Sequence, residues 1–478
     1  MMRRVLSVAS ECVPLLKTGG LADVVGALPK ALAGLGWQMR VLMPAYPGLI
    51  ERLGKPEIVW TDADLFGGTA NVLAGVVDGL DILLLNAPHL YDRAGGPYGG
   101  PHGDHWDNAE RFAALSWAAA AISRDGLSDG WKPEILHAHD WQGGFAPAYL
   151  RYLETDVKSV ITVHNIAFQG HADPAKLAVL RLPPEDFRAD ALEYYGGLSS
   201  LKAGLVAADA ITTVSPTYAN ELMRPEFGMG LQGVITARAS SVSGILNGVD
   251  TDVWSPEGDP EIVAYSANKM SGKAKNRAAL IDEFGLGDVP GPLAIIVSRL
   301  TAQKGIDLIP GVLEEFLERG GGLVVLGSGE AALEGAVAQA ARQRPDRIGV
   351  KIGYDEALAH RMFGGGDAVL VPSRFEPCGL TQMYGLRYGC VPLVAATGGL
   401  ADTVIDANPA AVAASVATGL TFHPTDGLAF GQAMRRLVNL YDDPKTWAKI
   451  QRNGMKQKVD WDQSSAAYAA LYESLLGA

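Results

Sequence analysis

Short apolar runs alternate with stretches that repeat apolar residues at helical spacing, and the alternation spans the chain. In the first half, residues 5–8, 39–43, 82–85, 135–139, 160–164 and 211–214 read as short buried strands. Between the first two, Leu21, Val24, Val25, Leu28, Ala31, Leu32 and Leu35 fall on one helical face. A second series follows Ile245. Strands are predicted over 293–297, 323–326, 350–352, 368–371 and 391–394, with helices over 306–317, 331–342, 356–363 and 380–388. Strands that are apolar throughout, each followed by a helix, predict parallel sheets covered on both faces. The expected fold class is α/β: two doubly wound, Rossmann-like domains facing a central cleft. A domain break is expected within 241–247, which gives domains at 1–243 and 244–455. Residues 456–478 form a tail helix expected to pack back on the N-terminal domain.

The length of 478 residues suits two or three domains, and the apolar fraction of 48% supplies their cores. Lys and Arg number 40 against 53 Asp and Glu, a formal charge of −13, which argues against a nucleic-acid binder. It leaves room for a phosphorylated small ligand, because nearby cations outweigh a screened distant field. Cys12, Cys378 and Cys390 give neither a disulfide framework nor zinc spacing, which fits a reducing cytosol. Residues 5–8 are too short for a signal sequence, and no run reaches membrane-spanning length. A cytoplasmic protein without a membrane partner is expected.

The polar strings fall at strand ends, where open α/β sheets bind ligands. Lys17-Thr18-Gly19-Gly20 follows the first strand and opens a helix. Glycines admit close backbone approach, the helix start favours an anion, and Lys17 adds charge. On the string alone, a phosphate cradle and an ordinary tight turn remain alternatives. His137-Ala138-His139-Asp140 ends another strand, and a hydrogen-bonding site or a structural cap fits it better than a metal. His164 and Asn165 sit where a strand gives way to a loop, beside Gln169-Gly170, in reach of sugar hydroxyls. Arg299 and Lys304 share one loop before a helix, a phosphate-binding combination or a solvated charged turn. Glu376 lies between a buried strand and the Gly379-Leu380-Thr381 helix start, which could hold the carboxylate ionised, a diphosphate, or both. Thr397-Gly398-Gly399 repeats the glycine theme and makes a second phosphate-sized pocket. Asp250-Thr251-Asp252 and Asp62-Ala63-Asp64 have the D-x-D spacing of some metal sites and are read as structural.

Together these strings resemble the bacterial glycogen synthases and plant starch synthases. The likeness runs in order through Lys17–Gly20, His139-Asp140-Trp141, His164-Asn165, Asn247-Gly248, residues 299–305, 374–382 and 397–402. It implies a retaining glycosyltransferase of the GT-B type, moving glucose from ADP-glucose to the non-reducing end of an α-1,4-glucan such as glycogen. The N-terminal domain would take the acceptor and the C-terminal domain the donor. By position, Lys17, Arg299 and Lys304 would hold the diphosphate, with Gly20 near it. Asp140 and His164 would contact the donor glucose or the reacting centre, with Tyr98 and Asn247 nearby. Glu376, Cys378, Gly379, Leu380 and Thr381 would line the donor side. Two departures stand out: Tyr384 occupies a position where the wider superfamily often has a second Glu, and Gln142 one where some relatives have His.

No metal and no cofactor are expected, since fixed cations can stabilise a leaving diphosphate. Retention could use a carboxylate nucleophile, Glu376 or Asp140, or same-face attack in which the leaving phosphate takes the acceptor's proton. The second is favoured, with Glu376 orienting donor hydroxyls and the domains closing to exclude water. A nicotinamide dehydrogenase would need G-x-G-x-x-G after the first strand, which is absent. A glucan phosphorylase would need a pyridoxal phosphate lysine. An inert glucan-binding relative has no use for Lys17, His164, Arg299, Lys304 and Glu376 together.

Overall fold

The computed structural model describes residues 2–101 and 103–477. Met1 and Ala478, the outer ends of the expected ranges 1–243 and 456–478, lie outside the described residues, as does His102. Two compact units result. One comprises the chain through Asn247 together with the segment from Trp461 onward; the other is Gly248–Asp460.

The first unit is built on a nine-stranded sheet: β1 (Arg3–Val8), β2 (Trp37–Pro44), β3 (Glu57–Asp62), β4 (Ala70–Val77), β5 (Leu80–Asn86), β6 (Ile135–His139), β7 (Lys158–Val163), β8 (Ala210–Thr213) and β9 (Val242–Gly244). Their spatial order is β9-β8-β7-β6-β1-β2-β5-β4-β3. Val5 pairs in parallel with Met39 on one side and Ile135 on the other. Val5, Leu6, Val41, Leu42, Ile135 and Val160 are at most 1% exposed, as strands covered by helices on both faces require.

The sheet is mixed rather than wholly parallel, because β3 and β4 run antiparallel at its edge. Neither strand was expected. Both are partly exposed: Val59 is the one buried residue of β3, and the half-buried Gly75 interrupts β4. The Asp78-Gly79 turn between β4 and β5 has φ of 49° and 79°, the positive pair of a two-residue hairpin, and its Asp-Gly signal was legible.

The tail forms a helix, Asp462–Leu475. Trp461, Tyr468 and Tyr472 lie on one face and join Val24, Leu28, Leu32, Trp37 and Met39 in a core cluster of the first unit. Tyr472 meets Trp37 edge-on, with ring centroids 5.2 Å apart.

The second unit has six strands, β10 (Leu293–Val297), β11 (Gly322–Gly327), β12 (Ile348–Ile352), β13 (Ala368–Val371), β14 (Val391–Ala395) and β15 (Leu420–Phe422). They are ordered β12-β11-β10-β13-β14-β15 and all pair in parallel. The helix expected over 306–317 is divided: Ile306–Leu308 is a 3₁₀ turn, and the α-helix starts at Pro310. Proline has no N–H to give and suits a first helical position.

In each sheet the chain reverses its direction of growth once, between β1 and β6 in the first unit and between β10 and β13 in the second. Such switch points open a crevice at the carboxyl ends of the two strands.

Candidate active site

In the second unit, the loops after β10 and β13 are stitched together at their switch point. Arg374 N–H donates to the Gln303 carbonyl at 2.9 Å, and Gln303 Nε2 to the Phe375 carbonyl at 3.2 Å. The Arg374 guanidinium bonds the Ala302 carbonyl and grips both oxygens of Asp307 at 2.6 and 2.7 Å. Gly305 has φ 69°, and a Cβ there would stand 2.0 Å from the Pro372 carbonyl oxygen, so only glycine lets the loops close.

This closure brings Lys304 to Glu376. Its Nζ lies 2.5 Å from Oε2, and the Ser373 hydroxyl donates to the same oxygen at 2.9 Å. The carboxylate partners of Glu376 are thus a lysine and a serine, not the helix start anticipated for it. Helix Thr381–Arg387 has seven residues and Gly398–Thr403 six. Arg299 is exposed, and its guanidinium has no partner among the described residues. Cys378 is buried and its carbonyl accepts from Gln382 Nε2 at 3.1 Å. Gly379 takes φ 73°, Leu380 precedes the helix, and the Thr381 hydroxyl reaches the Val297 carbonyl at 3.5 Å. Thr397 is buried and its carbonyl accepts from Leu400 N–H at 3.1 Å.

The two glycine pairs differ in why they are glycine. Cβ atoms on Gly398 and Gly399 would lie 2.0 and 2.2 Å from the Glu376 and Cys378 carbonyl oxygens. Those glycines serve packing. Cβ atoms on Gly19 and Gly20 would meet nothing within 4 Å. Both residues are exposed, so no neighbouring protein atom demands a glycine there. Open space over N–H groups at the start of helix Gly20–Ala33 is what a close-lying anion needs. Lys17 beside it is exposed and paired with Asp23 at 2.8 Å.

Around the first unit's switch point, Asp140 follows β6 with φ 51°, a left-handed conformation that Asp tolerates better than most residues. Its Oδ1 accepts the backbone N–H groups of His164 at 2.7 Å and Asn165 at 3.3 Å, fixing the turn after β7. Asn165 Oδ1 accepts from Ala167 N–H at 3.0 Å, so that oxygen shapes the loop. Burial raises the Asp140 carboxyl to a pKa of about 7, against the two backbone bonds, and the charge of Glu11 pushes the same way as burial.

Three imidazoles line up behind this turn. His164 Nε2 bonds His139 Nδ1 at 2.9 Å, and His139 Nε2 bonds Ser7 Oγ at 3.1 Å. His137 stacks on His139 with centroids 4.3 Å apart and bonds Thr162 Oγ1 and the Tyr472 hydroxyl of the tail helix at 2.6 and 2.7 Å. Burial holds His137 and His164 at about 3 and His139 well below 6.5, so all three are neutral at pH 7. His164 Nδ1, the end of the chain, has no partner among the described residues.

Tyr98 bonds Glu11 and Ser10 through its hydroxyl, at 2.6 and 2.7 Å, and its ring lies against Trp141 and Phe112. Asn247 is buried, with Oδ1 unpartnered among the described residues. A pocket of about 420 Å³ adjoins the His164 loop and is lined by Trp106, Trp141, Phe168, Gln169 and Lys176 among others. Trp106 is 83% exposed and Phe168 57%. Glu11, Trp106 and Lys176 were not anticipated. The signal available for Glu11 was a lone carboxylate between an apolar strand and Lys17.

The remaining motifs resolve simply. Asp250 and Asp62 each accept a backbone N–H two residues on, at 2.9 Å, so both D-x-D strings are turns. No group of three His, Cys, Asp or Glu among the described residues is arranged to hold a metal ion. Tyr384 stacks on Trp254 at 3.8 Å, and Trp254 stacks on His360 at 3.9 Å, so an aromatic sandwich fills that position. Gln142 is buried, its carbonyl accepting from the Ser116 hydroxyl at 3.3 Å. No helix among the described residues is long and apolar enough to cross a membrane.

Residues 4–237 match the family described as starch synthase catalytic domain, and residues 284–456 match glycosyl transferases group 1. A glycogen synthase from Cereibacter sphaeroides is 68% identical over 99% of this chain and 98% of its own length. One from Paracoccus denitrificans is 54% identical over 99% and 100%. The catalytic domain of starch synthase IV from Arabidopsis thaliana, solved bound to ADP and acarbose, superposes with a TM-score of 0.87 at 31% identity, covering all of both chains. A sucrose-phosphate synthase from Thermosynechococcus elongatus shares the fold, with a TM-score of 0.60 at 18% identity. With two doubly wound sheets, polar strings at both switch points and relatives matched from end to end, the chain belongs to the glycogen and starch synthase family of GT-B glycosyltransferases.

Proposed function

We infer that this chain transfers glucose from ADP-glucose to the non-reducing end of an α-1,4-glucan, with retention at the anomeric carbon. One observation carries the reading. The cations a leaving diphosphate needs, Arg299 and Lys304, stand with Glu376 at a switch point, in a chain matching glycogen synthases over 99% of its length. Arg299 is unpaired among the described residues and free to take phosphate oxygens in a forked contact. Lys304 reaches the diphosphate while its ion pair aims Glu376 at donor hydroxyls. Cations fixed on the oxygen that gains charge favour the transition state over the ground state, without a metal. Lys17 and the N–H groups at Gly19 and Gly20 offer positive charge and donors to diphosphate oxygens.

His164, neutral and tethered through Nε2, offers Nδ1 to a hexose hydroxyl. Asp140 fixes the His164–Asn165 turn. With a carboxyl at about 7, it is half protonated near neutrality and a weak nucleophile, which favours same-face attack over a covalent intermediate. The aromatic pocket beside the His164 loop suits the apolar faces of acceptor sugars. Cys378, Gly379, Leu380, Thr381 and Thr397 line the donor, and Asn247 offers its buried Oδ1 to a ligand hydroxyl.

The test is incorporation of labelled glucose into glycogen by purified protein, offered ADP-glucose and UDP-glucose in turn with excess EDTA. Incorporation from ADP-glucose is expected. No transfer from either nucleotide would refute the reading, and a trapped glucosyl-enzyme would refute same-face attack.

A further inference from the structure

The loop that carries Lys17 is closed on itself by a buried carboxylate. Cys12 and Leu16 exchange backbone hydrogen bonds of 3.1 and 2.9 Å, making a tight neck, and Arg52 Nη1 donates to the Pro14 and Leu15 carbonyls at 3.0 and 3.1 Å. Beyond the neck, Thr18 turns back to Glu11. Its backbone N–H donates to Oε2, and its hydroxyl donates to Oε1 at 2.6 Å. The same Oε1 accepts the Tyr98 hydroxyl at 2.6 Å. Glu11 is 3% exposed, whereas Thr18, Gly19 and Gly20 are exposed.

This placement is costly for a purely structural clasp. It sets a negative charge close enough to Asp140 to push that carboxyl up, and beneath a loop that opens toward an anion. A neutral side chain could close the neck without either penalty. What the carboxylate adds is two acceptor oxygens that take three donors at once, from Thr18 and from a ring 87 residues away.

We propose that Glu11 is a positioning residue that locks the Lys17–Gly20 loop and the Tyr98 ring into one arrangement before the donor arrives. Order imposed in the free protein need not be imposed by the ligand, so donor affinity rises without a new contact to it. The inference rests on the diphosphate reading of Lys17 and Gly20 given above.

The test uses the full chain as wild type, E11Q, T18V, Y98F and E11Q/T18V, with ADP titrations by calorimetry, steady-state kinetics on ADP-glucose and glycogen, and melting curves. E11Q presents an amide N–H₂ where an acceptor is needed. It is expected to weaken ADP binding and raise KM for ADP-glucose about tenfold, while KM for glycogen stays put. T18V is expected to weaken ADP binding in the wild-type background and to add nothing in E11Q, because the bond it removes is already lost. A folded E11Q with wild-type ADP affinity, or a T18V effect that simply adds to that of E11Q, would overturn the inference. If E11Q fails to fold, T18V and Y98F decide: weakened ADP binding in both supports the lock, and wild-type affinity in either sinks it. A wild-type chain that neither binds ADP nor transfers glucose would sink the functional reading and this inference with it. An active wild type beside an unaltered E11Q would sink the inference alone.

Discussion

Acid sets the buried histidines of the first unit against its buried aspartate, and Asp140→Asn separates the two. His137 and His164 sit at about 3, below the ordinary 6.5 of histidine, because burial disfavours the cation. A depressed histidine contributes stability that is present above pH 6.5 and is lost as pH falls. Between pH 8 and pH 5 that loss is about 2 kcal/mol for each, or about 4 kcal/mol for the pair. His139 is shifted in the same direction and adds to it. Asp140 has the opposite sign. Its pKa is raised from 3.8 to about 7, so its contribution is fully present below 3.8 and is lost as pH rises through 7. The same drop to pH 5 restores about 3 kcal/mol. Asparagine keeps an oxygen for the His164 and Asn165 N–H groups but cannot titrate. D140N should therefore lose about 3 kcal/mol more than wild type on going from pH 8 to pH 5, with all other titrating groups common to both proteins. Urea unfolding followed by tryptophan fluorescence reads this out. Trp37, Trp60, Trp106, Trp117, Trp131, Trp141 and Trp461, seven of the nine tryptophans, belong to the first unit. Equal losses in the two proteins would refute the opposed titrations.

Three further outcomes are expected. Lys304→Ala leaves Glu376 buried with only Ser373 beside it, so it should lower kcat on the order of 10²–10³-fold while glycogen binding, measured by co-sedimentation, is retained. Loss of both together would argue for a structural role. Gly20→Ala faces open space and should shift stability by no more than about 0.5 kcal/mol while weakening ADP binding. Gly399→Ala meets the Cys378 carbonyl and should cost about 1–3 kcal/mol in chemical denaturation, and the reverse ranking would undo the distinction between the two glycine pairs. Transfer should persist in excess EDTA and in Asp250→Asn/Asp252→Asn, where strict Mg²⁺ dependence would show that the cations alone do not suffice.

The loops at the second unit's switch point were legible because they rest on local rules. A strand runs straight into the loop carrying Arg299 and Lys304, another runs straight into the Glu376 turn 72 residues on, and strand ends are where such sheets bind. The Gly-Gly-Leu-Ala-Asp repeat misled in one respect. The two copies read alike, yet Gly19 and Gly20 border open space while Gly398 and Gly399 are pressed against backbone. Glycine has no side chain through which a sequence could signal which of the two applies. The edge strands β3 and β4 were missed although Ile58-Val59-Trp60 and Val72-Leu73-Ala74 are apolar runs and Asp78-Gly79 marks the hairpin.

The residues alone determined the α/β class, the two strand–helix series and the polar loops at their strand ends. Hydrophobic period, proline, glycine and capping act within a few positions of themselves. Only the folded chain decided that Lys304 neutralises Glu376 across 72 residues, that Tyr98 shares Glu11 with Thr18, and that Tyr472 of the tail touches His137 across 335. Those pairings, and the burial that keeps three histidines neutral and lifts one aspartate to about 7, follow from strand order and close packing. Desolvation belongs to a place in the fold, and no residue carries it in its identity.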